Sequence, residues 1–213
     1  MRRLFYSLVA ALGLVCASAS ADAAILTFDD LITGQTSYAF DGDGDGVNDV
    51  VFTTTDPAGF NTVGPGMNMT YIREPGLEGT SLLDPDLRVD FLVGAENGLK
   101  FGFAVDSEFE GPGSFASFSV FDAAGTLLAS STQPGLFTTP DGVNPSNYPE
   151  GMIDVAFGGR AAYALFNFNS DFGRFIIDDF EGTFGTTEVP EPASLTLLAL
   201  GLAGMRAFRR ARH

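Results

Sequence analysis

Between residues 41 and 49 the chain reads Asp41-Gly42-Asp43-Gly44-Asp45-Gly46-Val47-Asn48-Asp49. Carboxylates recur at the first, third, fifth and ninth positions, and a glycine stands sixth, where a sharp turn favours a residue without Cβ. Side-chain oxygens at this spacing wrap round a hard cation, and the Val47 carbonyl would add one more oxygen. Four carboxylates this close repel one another without a counter-ion. Calcium held by Asp41, Asp43, Asp45, Val47 and Asp49 is therefore expected to stabilise the loop, in a structural rather than a catalytic role. The plain alternative is a solvated acidic turn between two strands.

Other reactive chemistry is scarce. The single cysteine, Cys16, and the single histidine, His213, both lie outside residues 24–188. No thiolate or imidazole in that body can ligate zinc or serve as a nucleophile's base. A glycoside-active enzyme needs only two carboxylates roughly 5–9 Å apart. No acidic pair here sits among Trp, His or Arg residues that would tune it, and Trp is absent altogether. No catalytic residue is assigned, and the expectation is a non-enzyme. Two weaker constellations remain. Asp29 and Asp30 near the start of the body echo Asp178 and Asp179 near its end, and would hold a second cation if the terminal strands pair. The segment 133–151, QPGLFTTPDGVNPSNYPEG, is long for a connection without structure of its own. Such loops are often functional, and Asn144, Asn147 and Tyr148 have the chemistry to face a sugar.

Charge narrows the partners. The chain carries a formal net charge of −16, and residues 24–188 hold 25 acidic residues against five basic ones. A body this negative repels phosphate backbones, which excludes nucleic acid as a natural partner. Cations and neutral polysaccharide are compatible with it.

The elements that must position these residues are short and alternating. In LRVDFLV, Leu87, Val89, Phe91 and Val93 share one face; in GLKFGFAVD, Leu99, Phe101, Phe103 and Val105 do the same. AAILTF, NDVVFTTT, MNMTYI, SFASFSVF, TLLASST, MIDVAF, AAYALFNFN and RFIIDDFEGTF read likewise, as strands between Gly, Pro, Asn and Asp punctuation. Ten or more strands in some 160 residues predict an all-β, antiparallel β-sandwich, jelly-roll-like, with phenylalanines filling the gap between sheets. The acidic loop fits this setting. An EF-hand would place a bidentate Glu at its twelfth position, where Phe52 stands, and a strand-like VVFTTT follows instead of a helix. The loop resembles the DxDxDGxxD calcium loops between strands of integrin-type propellers and, more distantly, those of thrombospondin and dockerin.

The two ends carry addresses. Residues 1–23 combine Arg2 and Arg3, an apolar stretch over 4–15 and Ala-x-Ala sites, the pattern of a secretory signal peptide. Cleavage after Ala23 is preferred, after Ala21 the rival. A β-sandwich domain is expected over 24–185, then a linker over 186–192, a hydrophobic helix over 193–208 and a basic cytoplasmic tail over 209–213. At ~1.5 Å per residue that helix is shorter than the ~30 Å hydrocarbon core, and Arg209 and Arg210 should hold its end in the cytoplasm. Val189-Pro190-Glu191-Pro192, the apolar segment and the arginine-rich end together resemble the PEP-CTERM sorting signal of Gram-negative bacteria. That resemblance implies passage through the inner membrane, removal of the tail by an exosortase-type enzyme after signal peptidase has cut the leader, and a final place at the cell surface or in an extracellular matrix. It also implies the company of exopolysaccharide. Two other readings stay open: a structural envelope protein without a small ligand, and, behind it, a carboxylate-dependent enzyme acting on glycosides.

Overall fold

A computed structural model describes residues 23–184, apart from residues 43, 45, 63, 65 and 74. Among the described residues there are ten strands and no helix: β1 (Ala23–Leu26), β2 (Ser37–Phe40), β3 (Val50–Thr53), β4 (Leu77–Thr80), β5 (Leu87–Val105), β6 (Gly111–Phe121), β7 (Leu127–Gly135), β8 (Glu150–Ala156), β9 (Ala161–Asn169) and β10 (Arg174–Phe184). Every strand pairing is antiparallel.

The 19-residue β5 organises the whole. Its first part pairs with β3 on one edge and β9 on the other, through Val89 opposite both Phe52 and Ala164. Its second part pairs instead with β10 and β8, through Phe103 opposite both Ile177 and Gly151. The change of partners falls at residues 92–97, where the register shifts and Gly94 (φ 78°) and Asn97 (φ 68°) take left-handed backbone conformations. One ladder thus runs β2-β3-β5-β9-β6-β7. The other has β8 and β10 flanking β5, with β4 and β1 end to end along the far edge of β10. LRVDFLV and GLKFGFAVD, expected as two strands, are one continuous strand shared by both ladders.

The ladders face one another across phenylalanine rings. Phe52 of β3 meets Phe180 of β10 with ring centroids 5.1 Å apart, and Phe101 of β5 meets Phe118 of β6 and Phe166 of β9, each at 5.1 Å. All five side chains are fully buried. Burying each is worth about 1.5–3 kcal/mol, with edge and offset ring contacts adding to it. This is the two-layer antiparallel packing that the alternation predicts.

MNMTYI is not a strand. Residues 67–73 form a strap that lies over the outward face of the β10–β5–β8 ladder. Asn68 adopts φ 62°, which breaks the extended course. The strap's amides donate to side chains rather than to a neighbouring strand. Conversely, β2 and β4, four residues each, lacked a sequence signal long enough to mark them. Residues 1–22 of the signal peptide, the linker, the sorting helix and the basic tail lie outside the described residues, whereas Ala23, the last residue of the expected leader, opens β1. No helix among the described residues is long and apolar enough to cross a membrane.

Candidate functional site

The acidic loop connects β2 to β3, closed by the Phe40–Val50 pair and an Asp49 N–H to Phe40 carbonyl bond of 2.8 Å. Within it, the Asp41 carboxylate accepts the Gly44 N–H at Oδ1 (2.7 Å) and the Gly46 N–H at Oδ2 (2.8 Å). Gly44 and Gly46 both sit at positive φ, so the curl that aims these amides at Asp41 depends on glycine. Asp49 is buried and accepts the Gly42 N–H at 2.7 Å. The Gly44 and Gly46 amides therefore turn in on Asp41, while Asp49 is buried and Val47 is exposed. Oxygen donors of this kind suit a hard cation. Asp43 and Asp45 lie outside the described residues. Among the described residues no three acidic, His or Cys groups converge as a metal site.

The second acidic constellation is put to other uses. Asp29 accepts the Thr27 hydroxyl at 2.8 Å and Asp30 the Tyr38 hydroxyl at 2.7 Å. Asp178 is buried and accepts the Arg73 N–H at 2.6 Å and the Asp179 N–H at 2.7 Å. Burial pushes its carboxyl up to about 6, against the pull of those two amides and with the help of the nearby charges of Asp179 and Asp29.

Asp178 is one of two anchors of the strap. The other is Glu150 at the start of β8, 1 % exposed, which accepts the Thr70 N–H (2.8 Å to Oε1), the Tyr71 N–H (2.8 Å to Oε2) and the Thr138 hydroxyl. Between the anchors the strap rests on β5. A Cβ on Gly102 would stand 1.9 Å from the Tyr71 carbonyl oxygen, so only glycine admits the strap there. Ile72 then closes a small apolar cluster with Ala104 and Ile176, against which Met69 and Tyr148 pack. Sequence reasoning missed Glu150, and it read Asp178 as a candidate cation ligand rather than as a buried anchor for backbone amides. In a chain with 27 acidic residues nothing distinguishes a buried carboxylate from a surface one.

The 136–149 connection returns beside the strap. Asn144 donates its N–H (2.7 Å) and its side-chain amide (2.7 Å) to Asp141, forming a local turn. The Asn147 N–H donates to the Met67 carbonyl at 3.3 Å, and its side chain lies against Gly66. Tyr148 faces the outward sheet surface. The structure therefore separates the three: Asn144 shapes the loop, Asn147 ties it to the strap, and Tyr148 reaches the face of the ladder.

No curated protein sequence matches this chain. Among solved structures, it is similar to a cleaved adhesin domain of Lys-gingipain from Porphyromonas gingivalis w83, with TM-score 0.41, 16% identity, and 75% of this chain and 98% of that one covered. Another cleaved adhesin domain of Lys-gingipain gives TM-score 0.40 and 18% identity over 76% of this chain and 99% of the other. A family 29 carbohydrate-binding module complexed with mannohexaose gives TM-score 0.35 and 10% identity over 78% and 94%. Residues 188–212 match the PEP-CTERM protein-sorting motif, which implies an exported protein processed by exosortase.

Proposed function

We propose that this is a non-catalytic protein of the cell surface or extracellular matrix, whose calcium-stabilised β-sandwich associates with exopolysaccharide. The observation that carries the reading is the sorting motif over residues 188–212 behind an all-β body. The motif supplies the address, and the charge of the body selects the company. With 25 acidic and five basic residues over 24–188, that body is repelled by nucleic acid and other polyanions, whereas a neutral polymer meets no such barrier. The Asp41 loop supports a structural calcium: the Gly44 and Gly46 amides turn in on Asp41, and the oxygens of the sequence motif are of the right kind. Asp41 and Asp49, with Asp43, Asp45 and the Val47 carbonyl, would hold the ion, which would neutralise their mutual repulsion and fix the β2–β3 hairpin.

Co-sedimentation of the full-length protein with exopolysaccharide from its own cells, with and without millimolar calcium, tests the reading. Retention by the polymer, weakened when calcium is chelated, is the expected result. No retention under either condition would leave a structural envelope protein without a carbohydrate ligand. Release of soluble sugar during the assay would contradict the non-catalytic reading.

A further inference from the structure

On the outward face of the β4-β10-β5-β8 ladder, next to the strap, lies a cleft of about 250 Å³. Glu78 of β4, Ala104 of β5, Asp106 just past the end of β5, Tyr148 of the 136–149 connection, and Arg174 and Ile176 of β10 line it. Ala104 and Ile176 are buried and give an apolar floor. Glu78 is fixed on one wall, paired with the Arg174 guanidinium and accepting the Asn61 side-chain amide at 2.8 Å.

The remaining two polar groups are different. The backbone of Asp106 is pinned on both sides: its N–H donates to the Arg174 carbonyl and its carbonyl accepts the Phe172 N–H, both at 3.0 Å. Asp106 is partly buried, and its carboxylate makes no hydrogen bond among the described residues. The Tyr148 ring packs on the apolar floor cluster, and its hydroxyl likewise has no partner among the described residues. A rigidly mounted acceptor, an aromatic ring and a guanidinium thus open onto one apolar floor.

We infer that this cleft binds a single uncharged sugar ring, seated with its C–H face on Tyr148 and the Ala104–Ile176 floor and its hydroxyls on Asp106, Glu78 and Arg174. A sugar ring is amphipathic in this sense: apolar C–H faces and a rim of hydroxyls. Carboxylates accept from two such hydroxyls at once and the guanidinium donates to a third, in charge-assisted bonds. Charge decides the class of sugar. Two carboxylates face one guanidinium that is already paired, on a chain of net charge −16, so a uronate or a phosphorylated sugar is repelled. Size decides the extent: the cleft falls below the roughly 300–1,000 Å³ of drug-sized sites, which limits it to one unit of a longer chain. The inference rests on the polysaccharide reading above and names the residues and sugar class that reading would use.

The test titrates the full-length protein with methyl β-glucoside, methyl β-galactoside, methyl α-mannoside and glucuronate, followed by amide chemical shifts. At least one neutral glycoside should shift residues 104–106, 148 and 174–176, and glucuronate should not. Asp106→Asn should weaken that binding at least ~10-fold, the loss of a charge-assisted bond, and Tyr148→Ala by roughly 10-fold, the loss of the ring that carries the sugar's C–H face. Either variant suffices should the other misfold, which a thermal melt reports. Failure of all three glycosides, unchanged affinity in a folded variant, or preference for glucuronate would overturn the assignment. Exopolysaccharide co-sedimentation run in parallel separates the two levels. Polymer retained equally by wild type and Asp106→Asn would overturn the cleft alone. Glycoside bound in the cleft while the polymer is ignored would overturn the exopolysaccharide reading alone.

Discussion

Replacing Gly102 by alanine probes the strap that shapes the ligand face. The new Cβ would lie 1.9 Å from the Tyr71 carbonyl oxygen and 2.8 Å from its carbon, whereas real Cβ contacts stay beyond 3.0 Å. The obstructing atoms are backbone, so the strap itself must rise, by about 1.1 Å at least. Its anchor bonds measure 2.6 Å to Asp178 and 2.8 Å to Glu150, and a rise of that size carries them to the edge of hydrogen-bonding range or past it. Each is a bond from an amide to a carboxylate, worth about 1.5–3 kcal/mol. Losing one or two of them costs about 2–5 kcal/mol, a large share of the ~5–15 kcal/mol of an ordinary domain. Urea unfolding of full-length Gly102→Ala should show that loss, and hydrogen exchange at the Thr70, Tyr71 and Arg73 amides should accelerate. Gly113 of β6 is the control, with nothing within 4 Å of its would-be Cβ, so Gly113→Ala should be near neutral. A Gly102→Ala protein within about 0.5 kcal/mol of wild type, with unchanged protection at those three amides, would refute the account of the strap.

Three further outcomes follow from other parts of the molecule. Because the carboxyl of Asp178 rises on folding to about 6 from 3.8, its contribution to stability is full below pH 3.8 and is lost as pH climbs through 6. Wild type should therefore lose up to about 3 kcal/mol relative to Asp178→Asn between pH 4 and 7, and a pH-independent difference between the two unfolding curves would contradict the burial of that charge. Calcium at 100 times its dissociation constant should stabilise the wild type by about 2.7 kcal/mol, with no such shift in Asp41→Asn; equal melting temperatures in calcium and in chelator would remove the ion from the account. Phe166→Ala deletes a fully buried ring that touches Phe52, Phe101, Phe118, Phe168 and Phe180, and should cost about 3–5 kcal/mol by denaturant titration. A loss under about 1 kcal/mol would show that the ladders are not packed through that ring.

What could be read in the residues was what local pattern controls. Alternation in LRVDFLV and GLKFGFAVD assigned Leu87, Val89, Leu99 and Phe101 to the core face, and all four are buried. That the two runs form one strand was hidden, because GAENG reads as a turn, while its left-handed Gly94 and Asn97 instead carry β5 from one ladder to the other. MNMTYI alternates as a strand does, yet its Thr70 amide goes to Glu150 and the next residue, Arg73, gives its amide to Asp178, about 80 and 105 residues away in the chain. No local signal announces such a partner. The candidate sugar cleft divides the same way. Tyr148 was legible, since an aromatic in a long Pro- and Asn-rich loop is conspicuous. Glu78, Asp106 and Arg174 were not, because only the pairing of β4 with β10, and of β10 with β5, brings three scattered charges to one place.

The central claim is that an all-β body is exported and then parted from its tail. The intact mass of the protein recovered from the cell surface or surrounding matrix tests it most directly. The account predicts a mass short of the leader over residues 1–23 and of a C-terminal piece that includes Arg209 and Arg210. Recovery of the mature protein with Arg209 and Arg210 still attached, or only in the cytosol, would contradict it.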